Sequence, residues 1–448
     1  MTAQASSDNL ALWRSVRSTL EDLVLPKLPP GFERDSARQL VGLARYALAR
    51  ESAEPVALDS VLPDLLDARD ADDAEVMGRA ADLLLGRDVD GVSPDRADEV
   101  RRHLRDALAR DIVEAAPLLE TFSGHTPVAA SEDAVEVPEA KALTEWFESV
   151  LGSSVDLSLS VMVGGHSRRM LNAKVTTGGE VHELIVRIEQ GGMFGTEGTS
   201  EAEIMKAVAE AGYPAPRVRW IVTDEAVLGQ PFFVMDRVAG SPVVEDPAVI
   251  DAYVARLAEL HAIDPSVAVG GLGPVPETGE AAISAMIDHW LGIYRASVRV
   301  RIPLLEDAAE WLRTNLRPTG PVVLVHGDPG PGNFLHVDGE ITALTDWELT
   351  HYGDAAEDWT YFGAIRARRM HDAATWRSIF ADHAGVSYSN EDWLAWEGFN
   401  QFKGACVNLT ALRIFNDGVS TTPNLLAIGT AVHLRFLNRL TEIVAQLR

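Results

Sequence analysis

The stretch Val325-His326-Gly327-Asp328-Pro329-Gly330-Pro331-Gly332-Asn333-Phe334, with Leu344-Thr345-Asp346-Trp347-Glu348 after it, decides the fold of this chain. An Asp with an Asn five positions later is the spacing of a loop that handles a phosphorylated nucleotide. Its carboxylate accepts a proton from an attacking hydroxyl, and its amide holds a magnesium ion. Residues 334–337 and 340–345 read as strands around Asp338-Gly339, the strongest short-range hairpin signal. Such a hairpin brings Asp346 back beside Asn333, so two magnesium ligands meet at one mouth. A buried His-Gly-Asp turn beside an unrelated Asn and Asp is the bland alternative. It does not explain base, ligand and second ligand arriving in order across the right connecting element.

Upstream, the texture is that of strands. Residues 157–163 alternate apolar and polar, Gly164-Gly165-His166-Ser167 ends them, and 170–175 starts the next strand. A glycine turn between strands can lie over phosphates and donate backbone N–H groups to them. A third strand, 183–188, carries Arg187, a cation suited to the α/β-phosphates. The helix expected at 201–211, with Ser200 as N-cap, supplies Glu201 as the carboxylate that holds the cation, with Glu203 as the fallback. Strands at 217–222 and 231–235 lead into Asp236-Arg237-Val238-Ala239-Gly240. There Met235, Asp236 and Val238 are placed to offer backbone groups to an adenine ring. Beyond about 246 the pattern is helical except for the strands around the opening motif.

Residues 8–123 read as helices throughout. Leu10, Trp13, Val16, Leu20 and Leu23 recur at helical spacing, and no nucleophile, metal cluster or glycine-rich loop appears. The acidic density between Asp59 and Glu99 reads as a solvated face. Residues 124–138 have linker composition. The expected organisation is a helical accessory domain at 1–123 that folds separately, a linker at 124–138, and two lobes at 139–240 and 241–448.

With 448 residues, 46% apolar and 24% charged, the chain has room for two or three domains and a large core. A net charge of −28 repels nucleic acid and anionic lipid, and no basic stripe with interleaved aromatics is present. No apolar run approaches the roughly 18 residues needed to span a bilayer. The first residues lack the basic and apolar regions of a signal peptide, so a cytoplasmic location is expected. The single cysteine, Cys406, lies in an apolar helical stretch and reads as packing. Oligomeric state is not legible.

On Gly164-Gly165-His166-Ser167, Arg187, Glu201, Leu257-Ala258-Glu259-Leu260-His261, His326-Gly327-Asp328, Asn333, Asp346-Trp347-Glu348 and Gly353-Asp354-Ala355-Ala356-Glu357-Asp358, residues 139–448 resemble the aminoglycoside phosphotransferase/choline kinase family. The run Trp347–Asp354 and the strand at 231–235 resemble most the branch linked to acyl-CoA dehydrogenases. The resemblance implies an α+β, two-lobed protein-kinase-like fold, with a small antiparallel-sheet N-lobe and a large helical C-lobe behind the helical N-terminal domain. It implies Asp328 as catalytic base, Asn333 and Asp346 as magnesium ligands, Arg187 on phosphate and Glu201 orienting it. His326 and Asp358 would support the loop. Arg187 departs from the Lys of many kinases, and a guanidinium is not interchangeable with an ammonium.

The expected function is ATP- and magnesium-dependent phosphorylation of a hydroxyl on a small molecule. One acceptor is a hydroxyacyl thioester, whose phosphorylated carrier would meet Arg295, Arg299, Arg301, Arg366, Arg368 and Arg369. A cationic aminoglycoside or amino alcohol suits the acidic balance instead. A nucleotide-binding scaffold without catalysis is the third reading.

Overall fold

The computed structural model describes residues 3–52, 58–122, 137–162, 169–189, 198–244, 246–420 and 422–448. Helices come first: α1 (Ala3–Ser18), α2 (Phe32–Ser52), α3 (Leu58–Leu65), α4 (Asp73–Leu84), α5 (Ala97–Glu120) and α6 (Ala140–Leu151). Strands β1 (Asp156–Val161), β2 (Arg169–Thr177) and β3 (Glu180–Ile188) follow, then α7 (Gly198–Glu210), β4 (Val218–Val222) and β5 (Phe232–Asp236). Next are α8 (Ala248–His261), α9 (Val269–Leu272), α10 (Gly279–Ser297) and α11 (Pro303–Asn315). The short strands β6 (Val323–Val325), β7 (Phe334–Val337), β8 (Glu340–Leu344) and β9 (His351–Gly353) carry the opening motif. Helices α12 (Ala355–Thr360), α13 (Ala373–Ala384), α14 (Asn390–Asn416), α15 (Pro423–Ala427) and α16 (His433–Leu447) complete the chain.

Contacts divide the chain into two compact units. One is Met1–Gly124 with Ser284–Leu316 and Gly398–Arg448; the other is His125–Ile283 with Arg317–Glu397.

In the second unit, β1 to β5 form one antiparallel sheet in the order β1-β2-β3-β5-β4. The two-residue period of a strand sorts its faces. Leu171, Ala173 and Val175 of β2 and Leu184, Val186 and Ile188 of β3 join Phe232 and Val234 in a core that Leu143 and Phe147 of α6 close. Each large apolar side chain buried there contributes about 1.5–3 kcal/mol. The same alternation turns Arg187 to the opposite face. Strands β7 and β8 pair antiparallel around Asp338 and Gly339, whose φ values of 50° and 88° are those of a two-residue hairpin turn that matches the twist of its strands.

In the first unit the N-terminal helices do not close a core by themselves. The buried stripes of α4 (Val76, Ala80, Leu84) and α5 (Val100, Leu104, Leu108) belong to a unit completed by buried residues of α11 (Leu304, Leu305, Ala308, Leu312) and α16 (Leu437, Leu440, Val444). Charges follow the same seam. Asp307 of α11 accepts from Arg101 Nε at 2.9 Å and from Arg448 Nη2 at 2.7 Å. Arg301 donates to Glu306 at 2.6 Å and to Asp82 of α4 at 2.9 Å. The separately folding domain expected at 1–123 therefore gives way to a unit that draws on two later segments. An amphipathic stripe needs a partner, and its own periodicity does not name one.

Among the described residues, no helix is long and apolar enough to cross a membrane.

Candidate active site

The loop between β6 and β7 is shaped from behind by one carboxylate. Asp358 of α12 accepts the N–H of His326 on Oδ2 at 2.8 Å and that of Gly327 on Oδ1 at 2.9 Å, and His261 Nε2 stands 2.9 Å from Oδ2. Complete burial would raise this carboxyl, yet the His261 hydrogen bond and charge, reinforced by the Gly327 N–H, hold it below the usual range. Gly327 takes φ 86°, and a Cβ there would stand 2.4 Å from Leu349 O, so no other residue fits the turn. His326, fully buried, has Nε2 3.0 Å from Thr345 O, while Nδ1 accepts the Asp328 N–H at 3.4 Å. That pattern assigns a neutral ring with its proton on Nε2, which ties the loop to the end of the hairpin.

Asn333 and Asp346 are each followed by a fully buried aromatic anchor. Phe334 stacks on Tyr253 with centroids 4.4 Å apart. Trp347 donates its indole N–H to Leu344 O at 2.9 Å and meets Tyr213 edge-on. The hairpin joins the two positions directly, because Thr345 N–H donates to Asn333 O at 2.9 Å. Asn333 Nδ2 donates to Asp328 O at 2.8 Å and to Asp328 Oδ2 at 2.7 Å. Asp346 sits in the left-handed region (φ 65°, ψ 62°), a conformation costing about 1–3 kcal/mol outside glycine, and such strain gathers at functional sites.

Arg187 meets this cluster from β3. Its Nη1 is 2.8 Å from Glu201 Oε1, and its Nη2 is 3.4 Å from Asp346 Oδ1 and 3.6 Å from Glu348 Oε2. Its guanidinium also lies 5.9 Å from the ring centroid of Phe233, its cross-strand partner. Burial works against the cation. The charges of Glu201, then Asp346, then Glu348 outweigh it and raise its pKa. Helix α7 starts at Gly198, so Ser200 lies inside the first turn instead of capping it. Glu201 remains in that turn, where a carboxylate also suits the helix dipole. Glu203, the fallback, is not among the carboxylates that pair with Arg187.

At the end of β5, the N–H of Asp236 donates to Arg217 O at 2.9 Å and that of Arg237 to Glu183 O at 3.0 Å. The Asp236 side chain is taken by Arg219 at 2.7 Å. The first N–H past the strand that these two bonds do not use is that of Val238. Met235 pairs with Ile185 and Val218 in the sheet. Gly164, Gly165, His166 and Ser167 lie outside the described residues.

Sequence gave no role to Glu348 or Tyr361, and gave Arg366 only a place on a surface for a phosphorylated carrier. Glu348 reaches Arg187 as described. Tyr361 and Arg366 come from the π-helical turn Tyr361–Arg366 that continues α12. Arg366 Nη1 is 3.9 Å from Asp328 Oδ1, and burial together with the Asp328 charge pushes the Tyr361 phenol well above its ordinary range. The only sequence signal for them was the basic character of 366–369, read as a surface for a phosphorylated carrier. Arg301 of that expected surface is instead engaged by Glu306 and Asp82.

A carboxylate, an amide and a second carboxylate at one mouth, faced by a buried arginine held by acids, form the layout of a phosphotransferase. The model of the phosphotransferase enzyme family abbreviated APH matches residues 162–399, more than half of the chain, and the chain belongs to that family. Acyl-CoA dehydrogenase family member 10 of Mus musculus is 31% identical over 174 residues, 36% of this chain and 16% of that protein. Acyl-CoA dehydrogenase family member 11 of Homo sapiens is 29% identical over 177 residues, 36% of this chain and 22% of that protein. The match thus spans about a sixth to a fifth of these relatives' length. A crystal structure of an aminoglycoside phosphotransferase-type protein from Ralstonia eutropha JMP134 superposes with a TM-score of 0.54 at 22% identity, over 68% of this chain and 98% of that one. The fold is protein-kinase-like, and the family is one of phosphotransferase enzymes.

Proposed function

We propose that the chain phosphorylates a hydroxyl group of a small molecule, using ATP and magnesium. The observation that carries this reading is the state of Asp328. Asn333 occupies its Oδ2 and its backbone carbonyl, while the Tyr361 phenol also hydrogen-bonds this carboxylate and Arg366 Nη1 lies 3.9 Å from Oδ1. A carboxylate oriented by the Asn333 amide at the mouth of the site suits a base that takes a proton from an acceptor hydroxyl.

The donor set fits magnesium. The Asn333 nitrogen is spent on Asp328, which leaves its amide oxygen, and the Asp346 side chain is 39% exposed; both offer hard oxygen. Magnesium bound there would neutralise charge on the transferring phosphoryl. Arg187 would hold the α/β-phosphates, with Glu201 fixing its direction. Met235, Asp236 and Val238 would receive the adenine through their backbone. Catalysis then rests on positioning and electrostatics, without a covalent enzyme intermediate.

For the acceptor we favour a hydroxyacyl thioester. The matched segment of both relatives belongs to proteins named for acyl-CoA dehydrogenation, which supports an acyl-chain alcohol over an aminoglycoside. The test is ADP release across 3- and 4-hydroxyacyl-CoAs, aminoglycosides and choline, with Asp328→Asn as control. Turnover on hydroxyacyl-CoAs that falls by about 10²–10⁴-fold in Asp328→Asn, with nucleotide affinity retained, is expected. Turnover on aminoglycosides alone would refute the acceptor class, and unchanged turnover in Asp328→Asn would remove the base.

A further inference from the structure

The geometry points to Arg366 as a second cation of the transfer site, one that contacts the phosphoryl group while it moves from nucleotide to acceptor. The inference rests on the kinase reading above. In that step the acceptor oxygen bonds to the γ-phosphorus, and the bond from phosphorus to the β,γ-bridging oxygen breaks. The electron pair leaves with ADP, and the acceptor's proton goes to Asp328. An acceptor oxygen bonded to Asp328 Oδ1 stands about 2.5–3.0 Å from it. The phosphorus lies about 3–3.5 Å further in a productive complex. Arg366 Nη1 is 3.9 Å from that same Oδ1, so its guanidinium borders the line of transfer.

The loop is built around this side chain. A Cβ at Gly330 would stand 2.9 Å from Arg366 Cβ, and one at Gly332 would stand 3.5 Å from Nη2. Both glycines have positive φ, 150° and 103°. Pro331 O between them accepts from Nη2 at 2.5 Å, which leaves Nη1 as the end turned towards Asp328. The glycines of Asp328-Pro329-Gly330-Pro331-Gly332-Asn333 are therefore the room that an arginine needs inside the loop. The π-helical turn Tyr361–Arg366 that delivers it is a rare geometry that recurs at functional sites.

Charge balance argues the same way. Arg187 is shared among three carboxylates, whereas Arg366 faces one carboxylate and a carbonyl. Burial works against its charge, but Asp328, then Tyr361 and Tyr253, and further off Asp346 sustain it. A positive group supplied within the chain to a transferring phosphoryl acts on the transition state more than on the bound nucleotide.

The experiment is calorimetry of the full chain with magnesium and ADP, alone and with aluminium fluoride, which mimics the phosphoryl in flight. Wild type is expected to bind ADP more tightly when aluminium fluoride is present. Arg366→Met should keep the ADP affinity and the melting temperature but lose the tightening, in line with the roughly 10³-fold or larger worth of such an arginine. Arg366→Lys should recover part of it, since lysine keeps the charge without the fork. Tightening in Arg366→Met equal to wild type overturns the inference. So does a joint loss of ADP affinity and melting temperature in both variants, which would make Arg366 a clamp on the loop. Wild type that binds ADP without tightening overturns it and leaves the kinase reading standing. Wild type that does not bind magnesium and ADP at all brings down that reading and the inference with it.

Discussion

Replacing Arg187 by methionine removes the cation that lies within 4 Å of Glu201, Asp346 and Glu348. The side chains of Arg187 and Glu201 are 9% and 0% exposed, so Glu201 would lose its ion partner where water cannot replace it. Breaking a buried pair in this way costs about 3–5 kcal/mol. The reverse change, Glu201→Gln, leaves Arg187 with Asp346 and Glu348 at 3.4 and 3.6 Å and a neutral amide in place of the acid. Its cost is that of one weakened charged hydrogen bond, about 1.5–3 kcal/mol. The two costs differ by up to about 3.5 kcal/mol, so at about 2–4 °C per kcal/mol Arg187→Met should melt below Glu201→Gln by up to about 14 °C. Arg187→Lys should fall between them, because a point charge cannot address three carboxylates at once. Thermal melts followed by tryptophan fluorescence measure the order. Glu201→Gln melting as low as Arg187→Met, or lower, would show that the cation is not shared as the distances imply.

Asp346→Ala should make nucleotide binding indifferent to chelator, whereas wild-type affinity should fall on removing magnesium; calorimetry with and without chelator decides. His433 is buried, with Nδ1 2.8 Å from Ala405 O, and burial pulls its ring down to about 4 against the pull of that carbonyl. From about pH 6.5 down to 4 the unfolded chain takes up a proton that the folded chain refuses. Stability is therefore complete above pH 6.5 and falls by about 3 kcal/mol as pH drops to 4. His433→Asn should flatten that slope in urea titrations, and an unchanged slope would locate it elsewhere. A fragment of residues 138–448 should melt lower than the whole chain or aggregate, since Asp307 loses Arg101 and Arg301 loses Asp82. A fragment as stable as the full chain would mean that α4 and α5 contribute little to their unit.

What the sequence disclosed is local. Asp338-Gly339 announced a hairpin because a two-residue loop with positive φ has few residue choices, and the hairpin fixed the meeting of Asn333 with Asp346. The face of Arg187 followed from strand alternation. What stayed hidden depends on distant partners. Nothing near residue 366 shows that its side chain enters a loop more than thirty residues earlier. The glycines at 330 and 332 were quoted as part of the loop, with nothing to mark them as room for a side chain. The start of α7 at Gly198 was misjudged because Ser200 before an acid looks like a cap, and helix ends are the least determined part of such a reading. The stripes of α4 and α5 gave helices but not the identity of α11 and α16 as neighbours.

The double grip of Asp358 on His326 and Gly327 has a consequence for the order in which the protein is made. The residue that sets the loop lies 32 positions after His326 in the chain. His261, the other partner of that carboxylate, is synthesised well before the loop it helps to fix. At about 5–20 residues per second, the loop emerges roughly two to six seconds ahead of Asp358. During that interval the two N–H groups lack their acceptor, and the turn at Gly327 has nothing behind it. The site is thus keyed to a late residue: a chain truncated before α12 can contain Arg187, Glu201, Asp328, Asn333 and Asp346 and still lack the geometry that unites them.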